Sequence, residues 1–260
     1  MSEKLRSKGI SISECSLNEE ENRIYLYVEN LDEQMIKAVK NTFNSDAIVI
    51  KGSNGSVQPC YNTNVAGKFV YFSNGSGSYI GAGTFTFGTK DSNDNLGIVT
   101  FGHELKVGYS TGYGTVTKVA FGGSSDAAFI KITDGDTPTA RISFDTAARL
   151  TNVVFSTMPQ GTSVVVARGT TQSYAWGTVN STSASALVGT TWISDMYTTN
   201  ISLQQGDSGS PLLYPSDTVQ YGYGLLGQTS GVNVITGNSY FVKFTNVYSG
   251  LGLTSYIIEP

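Results

Sequence analysis

A serine set between glycines, one histidine and a handful of aspartates are the residues of this chain equipped for nucleophilic chemistry. Ser208 stands in Gln205-Gly206-Asp207-Ser208-Gly209-Ser210-Pro211, just ahead of the apolar run Leu212-Leu213-Tyr214. Glycines on either side let the backbone turn sharply and aim its N–H groups at one point. An acyl-transfer serine needs such donors, because the oxyanion of its tetrahedral intermediate must meet them at about 2.7–3.1 Å. The N–H groups of Gly206 and Ser208 are the candidates. The competing reading is a Gly/Ser turn in a protein with 30 glycines. His103, the only imidazole in the chain, follows Gly97-Ile98-Val99-Thr100-Phe101 and a glycine, so it stands at a strand end. It is the one side chain able to take a serine proton near neutral pH. Such a base needs a shielded carboxylate to fix its tautomer. Asp126 opens the apolar run Ala127-Ala128-Phe129-Ile130 and qualifies. Asp134 and Asp136 lie in a polar turn, where solvation is expected, and with Asp145 they rank behind Asp126.

The elements that must hold these groups read as strands. From residue 65 onward short apolar or alternating runs recur, at 69–72, 84–87, 97–101, 127–132, 163–167 and 223–226, punctuated by Gly, Asn, Ser and Asp. This pattern predicts an all-β sandwich or barrel. Only Phe241, Phe244, Val247 and Leu251 have helical spacing, which predicts a short C-terminal helix.

The first 50 residues differ. They hold nine Asp/Glu and six Lys/Arg, against 11 and 10 in the following 210. Ile10 and Ile12, then Ile24, Leu26 and Val28, alternate with polar or tyrosine residues as half-buried strands do. Asp32 is placed to cap a helix over residues 33–43, with Met35, Ile36, Val39 and Phe43 on one face. Ala47-Ile48-Val49-Ile50 adds a third strand, giving β-β-α-β. A unit of roughly 50 residues is marginal alone, so it is expected to lean on the rest of the chain. Residues 51–63, rich in turn formers, read as a linker, leaving 64–260 as the second domain.

Composition removes several classes of function. Net charge is −4 with no Lys/Arg cluster, so nothing marks a nucleic acid or an anionic membrane as partner. No apolar stretch approaches the roughly 20 residues of a spanning helix. Two cysteines (Cys15, Cys60) and one histidine cannot build the usual zinc sites, so no metal and no cofactor is expected. The cysteines are read equally as a disulfide or as two free thiols. Ser2 to Arg6 is charged and carries no apolar signal core.

In the order His103, Asp126, Ser208, on an all-β background, the sequence resembles the chymotrypsin-fold serine peptidases. The likeness is to their bacterial branch, the relatives of alpha-lytic protease and the streptogrisins. It spans about residues 64 to 256. It rests on Val65-Ala66-Gly67, Val99 to His103, Ser125 to Phe129, Val166 to Thr171 with Trp176-Gly177-Thr178, Gly206 to Ser210, and Gly224 to Gly227.

The resemblance implies two six-stranded antiparallel β-barrels, preceded by the small α+β segment, with the site in the cleft between the barrels. It implies a secreted, extracellular serine endopeptidase acting on protein or peptide substrates through an acyl-enzyme. It also implies an ion pair between Asp207 and Arg168, with Ser202 at the floor of the primary pocket and Gln205 at its rim. Gly227, Gln228 and Thr229 are then the edge strand that pairs with substrate. Lacking an acidic pocket floor, the enzyme is expected to prefer an apolar or small side chain. Residues 9 to 50 resemble a shortened pro-region, an intramolecular chaperone or inhibitor, with self-cleavage between Cys60 and Val65. The alternative is a protease-like peptide-binding protein with weak catalysis. The sequence departs from the family at Phe101, where a small residue is usual, and at Glu104, where many relatives have a cysteine. Ser210 replaces a glycine, and Gly227 stands where a hydroxyl often supports the aspartate.

Overall fold

The computed structural model describes residues 10, 12–18, 22–29, 31–43, 45–53, 62–133, 135–233 and 236–259. The chain divides into two compact units, residues 1–59 and 60–260.

In the first unit, β1 (Ile12–Asn18) and β2 (Arg23–Glu29) pair antiparallel, and β2 pairs parallel with β3 (Ile48–Ser53). A parallel pair needs a crossover, and α1 (Glu33–Phe43) provides it. The helix starts where expected, because Asp32 Oδ1 accepts the Met35 N–H at 2.7 Å and so satisfies one of the free amides of the first turn. Val39 is buried with Ile10, Leu26 and Val28, and Met35 and Phe43 pack around them. β3 continues through Ser53, three residues into the stretch read as linker, because Lys51, Gly52 and Ser53 pair with Tyr27, Val28 and Glu29. Cys60, the Cys15 side chain and residues 54–61 lie outside the described residues, and with them the disulfide and most of the expected processing segment.

The second unit begins with β4 (Asn62–Ala66) and continues with β5 (Phe69–Ser73), β6 (Tyr79–Thr84), β7 (Phe87–Asp91), β8 (Leu96–Thr100), β9 (Ser110–Thr111), β10 (Gly114–Gly122) and β11 (Ser125–Ile132). All of these but β4 lie in one sheet, in the order β7-β8-β11-β10-β9-β5-β6. Because β6 and β7 are two arms of one run with a corner at Phe85-Thr86, the sheet returns on itself as a ring. There follow β12 (Thr137–Ile142), β13 (Asp145–Val153), β14 (Ser163–Arg168), β15 (Ser173–Val188), β16 (Thr191–Thr199), β17 (Pro211–Pro215), β18 (Gly222–Val232) and β19 (Ser239–Lys243). The order β17-β14-β15-β16-β19-β18, with β17 also bonded to β18, closes six strands into a second ring. The helix α2 (Phe244–Leu251) and β20 (Leu253–Tyr256) end the chain; Phe241, expected on that helix, is instead the interior of β19.

The continuous apolar runs have a simple cause: these strands are buried on both faces. Val164 and Val166 point into the second ring with Leu212, Leu226 and Phe241, while Val165 between them joins a separate core. That core also takes Val99, Ala127, Phe129, Leu213 and Phe244, and Ile98, Ala128 and Ile130 fill the first ring. A period of two thus divides each run between two cores. Among the described residues no helix is long and apolar enough to cross a membrane.

Candidate active site

Where β8 ends, the chain turns through Phe101 and Gly102 to His103. Gly102 is required there, since a Cβ would stand 2.7 Å from both the N and the O of Ala127. That close approach to β11 brings two consecutive amides onto one carboxylate: Gly102 N–H at 2.8 Å and His103 N–H at 2.7 Å both donate to Asp126 Oδ1. Asp126 is completely buried. Its other oxygen lies 2.7 Å from His103 Nδ1 and also accepts the Ser230 hydroxyl. A carboxylate only accepts, so Nδ1 carries the proton and Nε2 presents its lone pair. Nε2 is 3.1 Å from Ser208 Oγ. Three side chains separated by 105 residues therefore form one hydrogen-bonded row.

Phe101 backs this corner. Its ring lies 4.6 Å from the imidazole, centroid to centroid, and meets Phe72 edge-on at 5.5 Å. Gly83 leaves room for it, because a Cβ at that position would fall 2.1 Å from Phe101 Cε1. The bulky residue at 101 is matched by a missing side chain across the sheet.

The serine arrives on a loop that the first ring holds in place. Thr84 N–H donates to Ser208 O at 2.8 Å, and the Thr84 hydroxyl to Gly206 O at 2.9 Å. Gly206 and Gly209 adopt φ of +94° and +86°, which glycine alone adopts without strain, and a Cβ at 209 would meet Thr84 O at 2.1 Å. The amides of this loop divide by use. Asp207 N–H bonds to Gln204 O, Gly209 N–H to Thr229 O and Ser210 N–H to Asp207 O. Among the described residues, the N–H groups of Gly206 and Ser208 donate to nothing in the protein. Both residues line the cleft beside the serine, so these two amides are free to donate to an incoming oxygen.

Asp207 is fully buried, but its partner is not the expected one. Oδ1 accepts the Thr170 hydroxyl at 2.6 Å and the Thr170 N–H at 3.3 Å, and Oδ2 accepts Gln204 N–H at 3.1 Å. Arg168 makes no ion pair with it; the guanidinium donates to Ser173 Oγ at 3.1 Å instead. Neutral donors already fill the carboxylate, so it takes no ion pair, although Arg168 Nε is itself buried without a partner among the described residues.

Three further expectations change. Gly227, Gln228 and Thr229 are not an edge: β17 and β19 flank them, with Gly227 opposite both Leu212 and Lys243. Gln228 is wholly buried and ties the rings together, its amide donating to Thr100 O at 3.1 Å and Asp126 O at 2.6 Å. The unpaired stretch starts later, at Ser230. The hydroxyl that supports Asp126 comes from Ser230, three residues beyond Gly227, at a bulge between Thr229 and Gly231. Ser202 is exposed, since Ile201 and Leu203 on either side turn into the second-ring core, and it cannot form a pocket floor. Gln205 does line the cleft. Of the rival aspartates, Asp145 is occupied by the Tyr174 hydroxyl at 3.1 Å, and Asp134 lies outside the described residues.

Beside Ser208 lies a cleft of about 590 Å³, walled by Phe69, Tyr79 to Ala82, Phe101, His103, Glu104, Gln205 and Gly206. Among the described residues no group of three or more His, Cys, Asp or Glu is placed to hold a metal.

Two β-rings with a His-Asp-Ser row between them define a chymotrypsin-like fold. Thermobifida fusca Protease A is similar at 24% identity, over 75% of this chain and 99% of that one, with a TM-score of 0.60. The Nocardiopsis protease is also 24% identical, over 75% of this chain and all of its own, at 0.58. A glutamic acid specific serine protease, described as using a histidine triad in substrate binding, matches at 20% identity, over 74% and 100%, at 0.57. At these identities the likeness is one of fold. No family model and no curated protein matches the sequence.

Proposed function

We propose that this protein is a serine endopeptidase that cuts peptide bonds through an acyl-enzyme. The observation that carries the reading is the row from buried Asp126 through His103 to Ser208, spaced 2.7 and 3.1 Å, beside two unoccupied amides. Ser208 Oγ attacks the peptide carbonyl and passes its proton to His103 Nε2. Asp126 stays ionised and stabilises the imidazolium through Nδ1. The Gly206 and Ser208 amides hold the oxyanion until the intermediate collapses, when His103 returns the proton to the leaving amine. Water then enters by the same route and frees the acyl group.

On the acyl side the substrate backbone pairs with Ser230, Gly231 and Val232. The ladder with β17 stops at Gln228, and Gly209 and Ser210 close Thr229. This replaces Gly227, Gln228 and Thr229 in that role. Gln205 stays as the rim. Specificity for glutamate through several histidines is not part of the reading, because the chain's single histidine is committed to Asp126. Action as a secreted, extracellular enzyme on protein or peptide substrates, with residues 9–50 as a shortened pro-region released by a cut between Cys60 and Val65, is supported by the resemblance and by the separate first unit.

A fluorophosphonate probe tests the chemistry, since only an activated serine reacts. The wild type should be labelled and Ser208→Ala should not; an unlabelled wild type overturns the enzyme reading and leaves a peptide-binding protein. Intact masses of the same pair test self-cleavage, and masses that differ only by the one oxygen lost in the substitution end that part of the reading.

A further inference from the structure

We propose that Glu104 and the aromatic residues lining the same cleft make its leaving-group side a site for a lysine or arginine side chain. The inference rests on the peptidase reading above and extends it to what the enzyme selects.

Glu104 follows His103 directly and lines the same cleft as Ser208. Its backbone is in the left-handed region at φ +68°, so the turn holds the residue to one conformation, and its side chain is exposed. Among the described residues its carboxylate takes no hydrogen bond and no ion pair, and no other Asp, Glu, Lys or Arg lines the cleft. The charge is thus left for a ligand. The rest of the wall suits a long cationic side chain. Tyr79 is 67% exposed and forms an edge-to-face series with Tyr71 and Phe69 at 5.9 and 5.3 Å. In the cleft itself Phe69, Tyr79 and Ile80 offer apolar surface to a methylene stem, and the two rings offer negative faces to a cation.

The position of the wall assigns the site to the departing half of the substrate. Ser230 to Val232 take the acyl half on the second ring. Glu104 and Tyr79 belong to the first ring, where β6 is the end of its ladder and runs past Ser208 with one side unpaired. A polypeptide leaving Ser208 along that edge brings its first two residues after the cut bond past Glu104.

Cleavage-site mapping in a peptide library by mass spectrometry, with the full chain, reads this directly. The expected result is enrichment of Lys and Arg over Asp and Glu in the first two positions after the cut, by roughly fivefold for one exposed ion pair with a ring contact. Glu104→Gln should bring that ratio close to one, Glu104→Lys should invert it, and about 1 M salt should shrink it. A ratio that Glu104→Lys leaves unchanged overturns the proposal. A small activated ester, with no residue beyond the scissile bond, separates the two readings in the wild type. Ester turnover without a charge preference ends this proposal alone, whereas absence of ester turnover ends the peptidase reading and this one with it.

Discussion

Asp126 and Asp207 are both completely buried, and among the described residues neither forms an ion pair with a lysine or arginine. A carboxylate withdrawn from water costs several kcal/mol unless its lone pairs are filled. In the first ring the Asp126 oxygens are filled by two amides, the imidazole and the Ser230 hydroxyl. In the second the Asp207 oxygens are filled by Thr170 and Gln204. The difference lies in what the donors can do. One Asp126 donor is an imidazole that gains charge when it takes a proton, so that carboxylate stabilises a changing state. Every donor to Asp207 is a fixed dipole, so that carboxylate only sets the shape of the Gly206–Ser208 turn. The same physical solution serves chemistry in one region and geometry in the other.

The sharpest way to break this contrast is Asp126→Asn. The oxygen of the new amide would stay with the Gly102 and His103 N–H groups, since two donors already converge there. Its NH2 would then face His103 Nδ1 and make that atom an acceptor. The proton moves to Nε2, and the base confronts Ser208 with an N–H. Hydrolysis should fall by about ten-thousandfold with folding retained. Activity within a few tenfold of wild type would mean that Asp126 only supports the corner, as Asp207 supports its turn.

A second pair of variants probes the neutral staple. Thr170→Val deletes the 2.6 Å hydroxyl bond and leaves Asp207 Oδ1 with the longer 3.3 Å amide. Hydrogen bonds to buried charges contribute about 1.5–3 kcal/mol, so urea unfolding should show a loss in that range, with slower fluorophosphonate labelling as the turn loosens. Arg168→Met, which removes the cation expected at Asp207, should change stability by less than about 1 kcal/mol and leave labelling alone. The opposite ranking would restore the ion pair and remove the contrast with Asp126.

How much of this was legible depended on whether a residue's task is set by its local run or by a distant register. His103, Asp126 and Ser208 each sit at the end of an apolar strand or between glycines, and those local marks survive in one dimension. The helix over 33–43 was legible for the same reason, with Asp32 before it and one apolar face. Ser230 was not, because its hydroxyl gains a task only from lying beside the Asp126 carboxylate, three residues past Gly227, and no local pattern announces that meeting. Arg168 was expected at Asp207 from the family resemblance alone, whereas Thr170, two residues on, reaches the carboxylate with a shorter and neutral group. The corner at Phe85-Thr86 read as one strand; only pairing with β5 on one side and β8 on the other reveals the bend. Gly83 carried no meaning until the ring of Phe101 was seen to occupy its missing side chain.

A third carboxylate supplies the control for both, and the smallest expected effect. Asp91 is nearly buried at the turn from β7 to β8, and unlike the other two it has a cation, with Lys118 Nζ 3.5 Å away. Burial pushes its pKa upward, but the Asn95 side chain, the Asn93 and Asn95 amides and the Lys118 charge outweigh that and hold it below the usual carboxylate value. A depressed folded pKa means that the ionised form is the one folding favours. Its contribution is therefore present above the unfolded value near 3.8 and is lost as pH falls through the folded value. Asp91→Asn should accordingly be less stable than wild type at neutral pH, and the two urea midpoints should draw together below about pH 4. The β7–β8 turn lies away from Ser208, so labelling at neutral pH should be unaltered. If the midpoints stay equally far apart at acid pH, the loss at neutral pH comes from the shape of the turn rather than from its charge. Asp91 would then belong with Asp207 despite its lysine, and cation pairing would not distinguish the buried carboxylates of this fold.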